Sequence, residues 1–424
     1  MKVWKQWALG FSVAGFAALG MALLAIHWWL PTDEELAQQL TALANERLGI
    51  AVSIGAVHWT LLPTPAITVH NFRTQQAQPV VITKLSAYPQ MRKLLQRQLV
   101  LERIDIDEAT VPRNSVHALL AKPGAAEGFA GSGEPLLQRL TFRNLTWISY
   151  SGIAVAFDGE IDFDPHWRPR YAELRRPGNS TPFTLTLARE SDADRWQTRM
   201  VVGGGTAHGQ VALKTTADGT TMQLSGQLAP RNVEVASAMG TFNRRSPISG
   251  KGSGQTALSA SGKSLGQLTQ SLHTQTRFTV NPATVLRFDL DKAIRTGGKD
   301  YEGQTALQEL TGQLDTQNGA EGMRVTVTDI RARAGKFTAT GKAMIYHGQI
   351  EAGGNLHLVE GALGVPIRLS GSVQKPKVSV PPGFYAGAAI GTLLLPGIGT
   401  AIGARIGGVI GEVFSGDGKK PATK

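Results

Sequence analysis

Leu101-Glu102-Arg103-Ile104-Asp105-Ile106-Asp107 sets Ile104 and Ile106 on one side of an extended chain and Asp105 and Asp107 on the other. A period of two is the signature of a half-buried strand, greasy on one face and wet on the other. The same period continues in both directions. Upstream, Val52, Ile54, Ala56 and His58 alternate with small or polar residues, and Ile67 and Val69 follow. Downstream, Phe183, Leu185 and Leu187 alternate with Thr184, Thr186 and Ala188, and Val325 and Val327 with Thr326 and Thr328. Leu356 stands between Asn355 and His357. Gly, Asn, Asp and Pro punctuate these stretches, giving roughly 15–20 short strands, more than a twisted open sheet holds without curling. The expected fold is mainly β: a long curled antiparallel sheet, either an open groove with an apolar concave face or a partly closed barrel, because closure removes edges.

Short helices interrupt the strands. Asp33, Glu34 and Glu35 suit the positive end of a helix dipole, Leu36, Leu40, Leu43 and Leu48 follow at helical spacing, and Gly49 stops the run. Pro89 to Gln98 and Ser264 to Leu272 predict two more helices. Residues 121–134 read as a flexible loop. The Gly/Ser-rich stretch 250–262 stays inside the fold, because Ala257 to Gly262 alternates and leads directly into the helix that follows.

Composition narrows the function. The 424 residues include 49 Gly and no Cys, and the formal net charge is +11. Without cysteine there is no disulfide framework, thiol nucleophile, iron–sulfur cluster or Cys-based zinc site. The basic excess is spread thinly and lacks an aromatic–basic pattern, so it argues against a nucleic-acid partner and suits a surface facing anionic lipid.

Ala8 to Ile26 carries no charge over a length that spans a bilayer core. Lys2 and Lys5 precede it and Asp33, Glu34 and Glu35 follow, which places the N-terminus in the cytoplasm and the body outside. Trp4 and Trp7 mark one membrane interface and Trp28 and Trp29 the other. The run is longer than the apolar core of a cleaved signal peptide, and the reading is an uncleaved anchor.

At the other end, Phe384 to Gly411 holds a single charge, Arg405. Gly387 and Gly391, then Gly399, Gly403, Gly407 and Gly411, recur every fourth residue, the spacing of a glycine zipper on one helix face. Pro396 divides the run. The expectation is a helical hairpin that enters the inner or outer membrane or packs on itself.

No catalytic constellation or metal site emerges. The nine histidines are scattered, and there is no H-E-x-x-H or G-x-S-x-G. Gly262-Lys263-Ser264 lacks the earlier glycine of a phosphate loop, where Ala257 stands. Asp158, Glu160, Asp162 and Asp164 alternate as a strand's acidic solvent face, without the turn glycine of a calcium loop. The chain reads as a non-enzyme with no cofactor.

Three segments resemble the AsmA family of bacterial envelope proteins. The first is the anchor with Leu48-Gly49-Ile50-Ala51-Val52-Ser53-Ile54-Gly55, Trp59 and Pro63, then Leu99 to Val111. The second is Ala257 to Leu290, with Ala260-Ser261-Gly262, Ser271-Leu272, Phe278-Thr279-Val280 and Phe288-Asp289-Leu290. Asn281-Pro282 replaces the family's usual Asp-Gly, so the turn there is expected to differ. The third is Val365 to Val373 followed by Lys375-Pro376-Lys377-Val378. The resemblance implies a single-pass protein of the bacterial inner membrane whose periplasmic body binds or conducts phospholipid or another envelope lipid through an apolar β-groove. It further implies a role in outer-membrane biogenesis, with the outer membrane or an envelope protein as further partners. Ile104, Ile106, Phe183, Leu185, Leu187, Val325 and Val327 are the expected groove lining. A lipid-free assembly scaffold for outer-membrane proteins is the alternative. The chain divides into an anchor (1–30), an AsmA-like helix and β region (31–120), a middle β region (121–240), a second AsmA-like region (241–382) and the glycine-rich hairpin with its basic tail (383–424).

Overall fold

The computed structural model describes residues 33–60, 64–90, 92–93, 100–115, 137–164, 168–191, 193–216, 220–263, 265–319, 321–335, 337–358 and 364–379. The anchor with Trp4, Trp7, Trp28 and Trp29, the loop 121–134 and the hairpin with Gly387, Gly391, Pro396, Gly399, Gly403, Gly407 and Gly411 lie outside these residues. So does most of the helix expected after Pro89. Among the described residues no helix is long and apolar enough to cross a membrane.

The chain is mainly β, and its strands join one open sheet. β1 (Val52–Ser53) and β2 (Ala56–Thr60) both pair with β3 (Ala66–Thr74). The ladder then passes through β4 (Val81–Pro89), β5 (Leu101–Pro112), β6 (Leu137–Ile148), β7 (Ala154–Phe163), β8 (Pro169–Arg175) and β9 (Thr184–Arg189). It continues through β10 (Arg195–Val202), β11 (Gly205–Thr215), β12 (Met222–Arg231) with the short β13 (Val233–Glu234), and β14 (Ile248–Gly262). β15 (His273–Leu286) pairs with both β16 (Gln304–Leu307) and β17 (Glu309–Gly319). β18 (Gly322–Arg333), β19 (Phe337–Tyr346), β20 (Gln349–Leu358), β21 (Gly364–Ser372) and β22 (Lys377–Ser379) complete it. Three ranks are shared by two strands each, so the 22 strands occupy 19 ranks.

Every rank is antiparallel except β5–β6, which is parallel. This corrects the all-antiparallel expectation. Strands that point the same way need a crossover of a dozen or more residues, and the segment between Pro112 and Leu137 is long enough to supply it.

Four helices whose full span is described accompany the sheet, besides helical residues at 92–93 and 113–115. α1 (Asp33–Leu48) ends at Gly49, whose φ of 60° and N–H bond to the Asn45 carbonyl terminate it as expected. α2 (Val235–Thr241) and α4 (Leu290–Arg295) are additions to the expected helices, and α3 (Leu265–Gln270) lies inside the span predicted from Ser264 to Leu272. Asn281–Pro282 is a cis peptide inside β15 and forms no turn.

These four pack on one face. Leu36, Leu40 and Ala44 of α1 join Val57, Val69, Leu85, Ile104 and Leu140. Leu268 of α3 joins Trp196, Leu213, Met222 and Ala260. Val235 of α2 meets Val280, and Leu290 and Ile294 of α4 meet Leu356, Val365 and Ile367. Each large side chain buried this way contributes about 1.5–3 kcal/mol.

Two sets of contacts show which way the sheet curls. α2 and the residues after it reach back across six ranks: the Asn243 Nδ2 donates to the Ala154 carbonyl at 2.6 Å, and Phe242 meets Phe183 at 5.3 Å between centroids. Six ranks laid flat measure about 29 Å, whereas a seven-residue helix is about 10 Å long. The chord over the helix-bearing face is short, so the sheet curls toward that face. Farther along, the Arg113 guanidinium donates to the Gly319 carbonyl at 3.3 Å, although β5 and β17 are ten ranks apart.

Left-handed residues keep the faces in phase. Asn71, Glu108 and Asn144, on β3, β5 and β6, have φ of 55°, 56° and 53°. Each takes up one extra residue, so the face that holds Ile106 resumes at Ala109 and the face that holds Phe142 resumes at Leu145.

Candidate functional site

Cross-strand partners share a face of the sheet, so the register can be followed from edge to edge. Trp59 pairs with Ile67, and the row passes through Ala87, Ile104, Leu140, Ile161, Ala172 and Leu187. It continues through Thr198, Gly209, Leu228, Thr256, Thr276 and Leu314. Val327, Ala343, Ala352, Leu369 and Val378 finish it. One residue from each of the 19 ranks lies on this row, and none is charged.

Six of the seven residues expected to line a groove share this face. Ile104, Leu187 and Val327 stand on the row itself. Ile106 and Leu185 fall on a neighbouring row, joined through Phe142, Gly159 and Leu174, and Val325 faces Thr316 on the next. Phe183 precedes β9, and its ring meets Phe157 and Phe242.

Their surroundings divide them. Ile104 and Ile106 are sealed in the cluster against α1, and Phe183 is buried beside Phe242. Leu185, Val325 and Val327 are half-buried and belong to none of the buried clusters, whereas half-buried Leu187 packs on the cluster that holds Leu268 of α3. The half-buried strip also takes in Met200, Leu258, Phe278 and Ile345, which the sequence reading does not name. In β14 and β15, Gly, Ser and Thr fill many positions on both faces, which flattens the apolar period that would mark them.

The strip is lined by small as well as large side chains. Phe278 lies over Gly312, where an added Cβ would stand 2.9 Å from the ring. Thr198 Oγ1 is buried on the central row without a hydrogen-bond partner among the described residues. Arg189, the charged residue on this face of β9, is itself buried and ion-paired at 2.7 Å with buried Asp164, so its charge is not presented to the strip.

The opposite face is polar. Between β5 and β8 it is a lattice of opposite charges: Arg103–Asp105, Arg139–Asp162, Arg143–Asp107 and Arg175–Glu173 lie within 2.6–3.2 Å. The acidic run from Asp158 is part of it: Asp158 accepts the Asn144 N–H and Asp162 pairs with Arg139, while Asp164 turns inward to Arg168 and Arg189.

Groups capable of chemistry are dispersed. No cluster of three or more His, Asp or Glu that could hold a metal occurs among the described residues. His58 contacts Asp33 at 2.8 Å and His273 contacts Asp315 at 2.7 Å, each tying separate elements together. Tyr171 donates its hydroxyl to Glu173, which pushes the phenol up to about 12, away from a reactive phenolate. Glu234 caps α2. Burial pushes its carboxyl up, but the N–H groups of Gly250, Ser237 and Ala236 outweigh this and hold it below its ordinary value. What the arrangement offers is a long uncharged surface on the inside of a curled sheet, partly roofed by helices. No family model, no curated protein and no solved structure matches the chain.

Proposed function

We propose that this chain is an AsmA-like envelope protein that holds the acyl chains of a lipid on its uncharged inner face and supports outer-membrane biogenesis. The row of 19 uncharged residues from Trp59 to Val378 is the observation that carries this reading. Each buried methylene is worth about 0.8 kcal/mol, so a strip of this kind retains a lipid with no catalytic group, cofactor or metal. The open edge leaves head groups in water while the tails are sheltered. In this reading the span 8–26 anchors the chain in the bacterial inner membrane, the sheet stands in the periplasm, and the glycine-rich segment 383–424 meets a membrane or packs on itself.

The test is mass spectrometry of lipids co-purified with the full chain and with Leu185→Asp and Val327→Asp. Both positions are half-buried and belong to none of the buried clusters, so a charge there acts on the strip more than on the core. The expected result is bound phospholipid in the parent and a several-fold loss in each variant with the circular dichroism spectrum preserved. A parent chain free of lipid, or variants that keep a full load, overturns the reading.

A further inference from the structure

Where the central row of the inner face is uncharged from edge to edge, the outer face changes character along the sheet. Between β5 and β8 most of its charges are paired, as described above. From β10 to β15 they are cations in excess: Arg195, Arg199, Lys214, Arg231 and Arg277 are all exposed and form no ion pair with any described residue. The carboxylate that borders them on β17, Asp315, is already engaged by His273 at 2.7 Å and Gln275 at 3.3 Å. Five cations therefore stand unneutralised on this stretch.

The stretch is hollowed. A depression of about 1400 Å³ runs over β10 to β18, with Arg195, Lys214 and Arg277 in its walls. It is also lined by Gln210, Gln227 and Gln255, whose side chains make no hydrogen bond to described residues. Gln210 and Gln227 are cross-strand neighbours, so their amides repeat at about the 4.8 Å strand spacing. The depression is larger than the usual pocket for a small molecule, and no Phe, Tyr or Trp is among its described lining residues.

We infer that this trough binds an extended anionic glycan. Unpaired guanidinium and ammonium groups attract carboxylate or phosphate, and glutamine amides both donate and accept, as hydroxyl groups require. A peptide fits less well. Within the sheet the strand N–H and C=O groups are spent on neighbouring strands, so a chain laid across the face finds no main-chain partners. The inference is independent of the lipid reading, since it concerns the opposite face.

The test is fluorescence anisotropy of a labelled oligogalacturonate with the full chain in detergent, competed by unlabelled maltoheptaose and poly-glutamate. Oligogalacturonate is expected to bind with an affinity that falls as salt rises. Maltoheptaose is expected not to compete, and poly-glutamate to compete about tenfold less well. Lys214→Glu with Arg277→Glu should weaken binding about tenfold, as opposed charges become like charges. Gln210→Ala with Gln227→Ala should weaken it several-fold with the salt dependence unchanged, a signature that bulk charge attraction does not give. All four positions are exposed, and unchanged thermal unfolding confirms that the variants fold. Absence of binding, full affinity in the charge-reversed variant, or equal competition by poly-glutamate overturns the inference.

Discussion

Phe142 on β6 covers Gly159 on β7, and a Cβ at residue 159 would stand 2.5 Å from the ring and 2.4 Å from the Glu173 carbonyl oxygen. The close fit lets three neighbouring strands coil together under the Phe142 ring. Gly159→Ala is therefore expected to destabilise the chain by about 1–3 kcal/mol, read as a lowered thermal midpoint. Gly240 in α2 is the control. An added Cβ there meets nothing within 4 Å, and alanine should be neutral or stabilising by about 0.5–1 kcal/mol.

The curl itself can be trapped. The chain contains no cysteine, so an engineered pair has no competing thiol. Arg113→Cys combined with Gly319→Cys is expected to be joined by a short bis-maleimide within one chain, detected as a mobility shift and a linked peptide. In a flat sheet these positions would stand about 48 Å apart and no short linker could join them.

Glu234 makes the fold sensitive to acid at a definite place. Its folded-state acidity is raised, that is, its carboxyl titrates below the ordinary value of 4.5. Its contribution is thus fully present above pH 4.5 and is lost as the pH falls from there through the lower folded value. Glu234→Gln should lower the thermal midpoint at neutral pH, and the gap from the parent should close progressively below pH 4.5. A gap that is constant with pH would assign the loss to packing.

Thr198 presents the opposite case, a buried hydroxyl without a partner among the described residues. Valine keeps the branched shape and removes the unpaired group, which ordinarily costs about 1–3 kcal/mol to bury. Thr198→Val should raise the unfolding midpoint. Unchanged or lowered stability would mean that the hydroxyl is satisfied in solution.

Particular residues show how much was legible in the sequence. Val325 and Val327 between Thr326 and Thr328 declared both the strand and its apolar face, because burial on one side of a pleat imposes a period of two. Gly49 declared the end of α1 for an equally local reason, its left-handed backbone. The parallel rank was hidden, since Leu101 to Pro112 and Leu137 to Ile148 alternate in the same manner whichever way they point. At Glu108 the alternation breaks as though the strand had ended, whereas the left-handed backbone resets the phase and the strand continues to Pro112. α2 escaped because Val-Ala-Ser-Ala-Met-Gly-Thr is too short to show a helical period and is capped by glutamate, outside the usual N-cap set. For the residues expected to line a groove, the shared face of six was readable; which of them lay beneath helices was not, because that depends on contacts between distant ranks such as Phe183 and Phe242.

Outside the single crossover between β5 and β6, each rank of the sheet hydrogen-bonds to ranks near it in the chain, mostly through hairpins. Such a ladder is close to one-dimensional in its energetics, with stability accumulating rank by rank. Its length is then an adjustable quantity: a hairpin duplicated between β17 and β20 would extend the sheet by two ranks while leaving the register of those before it intact. The crossover is the exception. It joins two blocks that must find each other over a longer loop, so the slow step of folding is expected there, with the later hairpins adding quickly on either side.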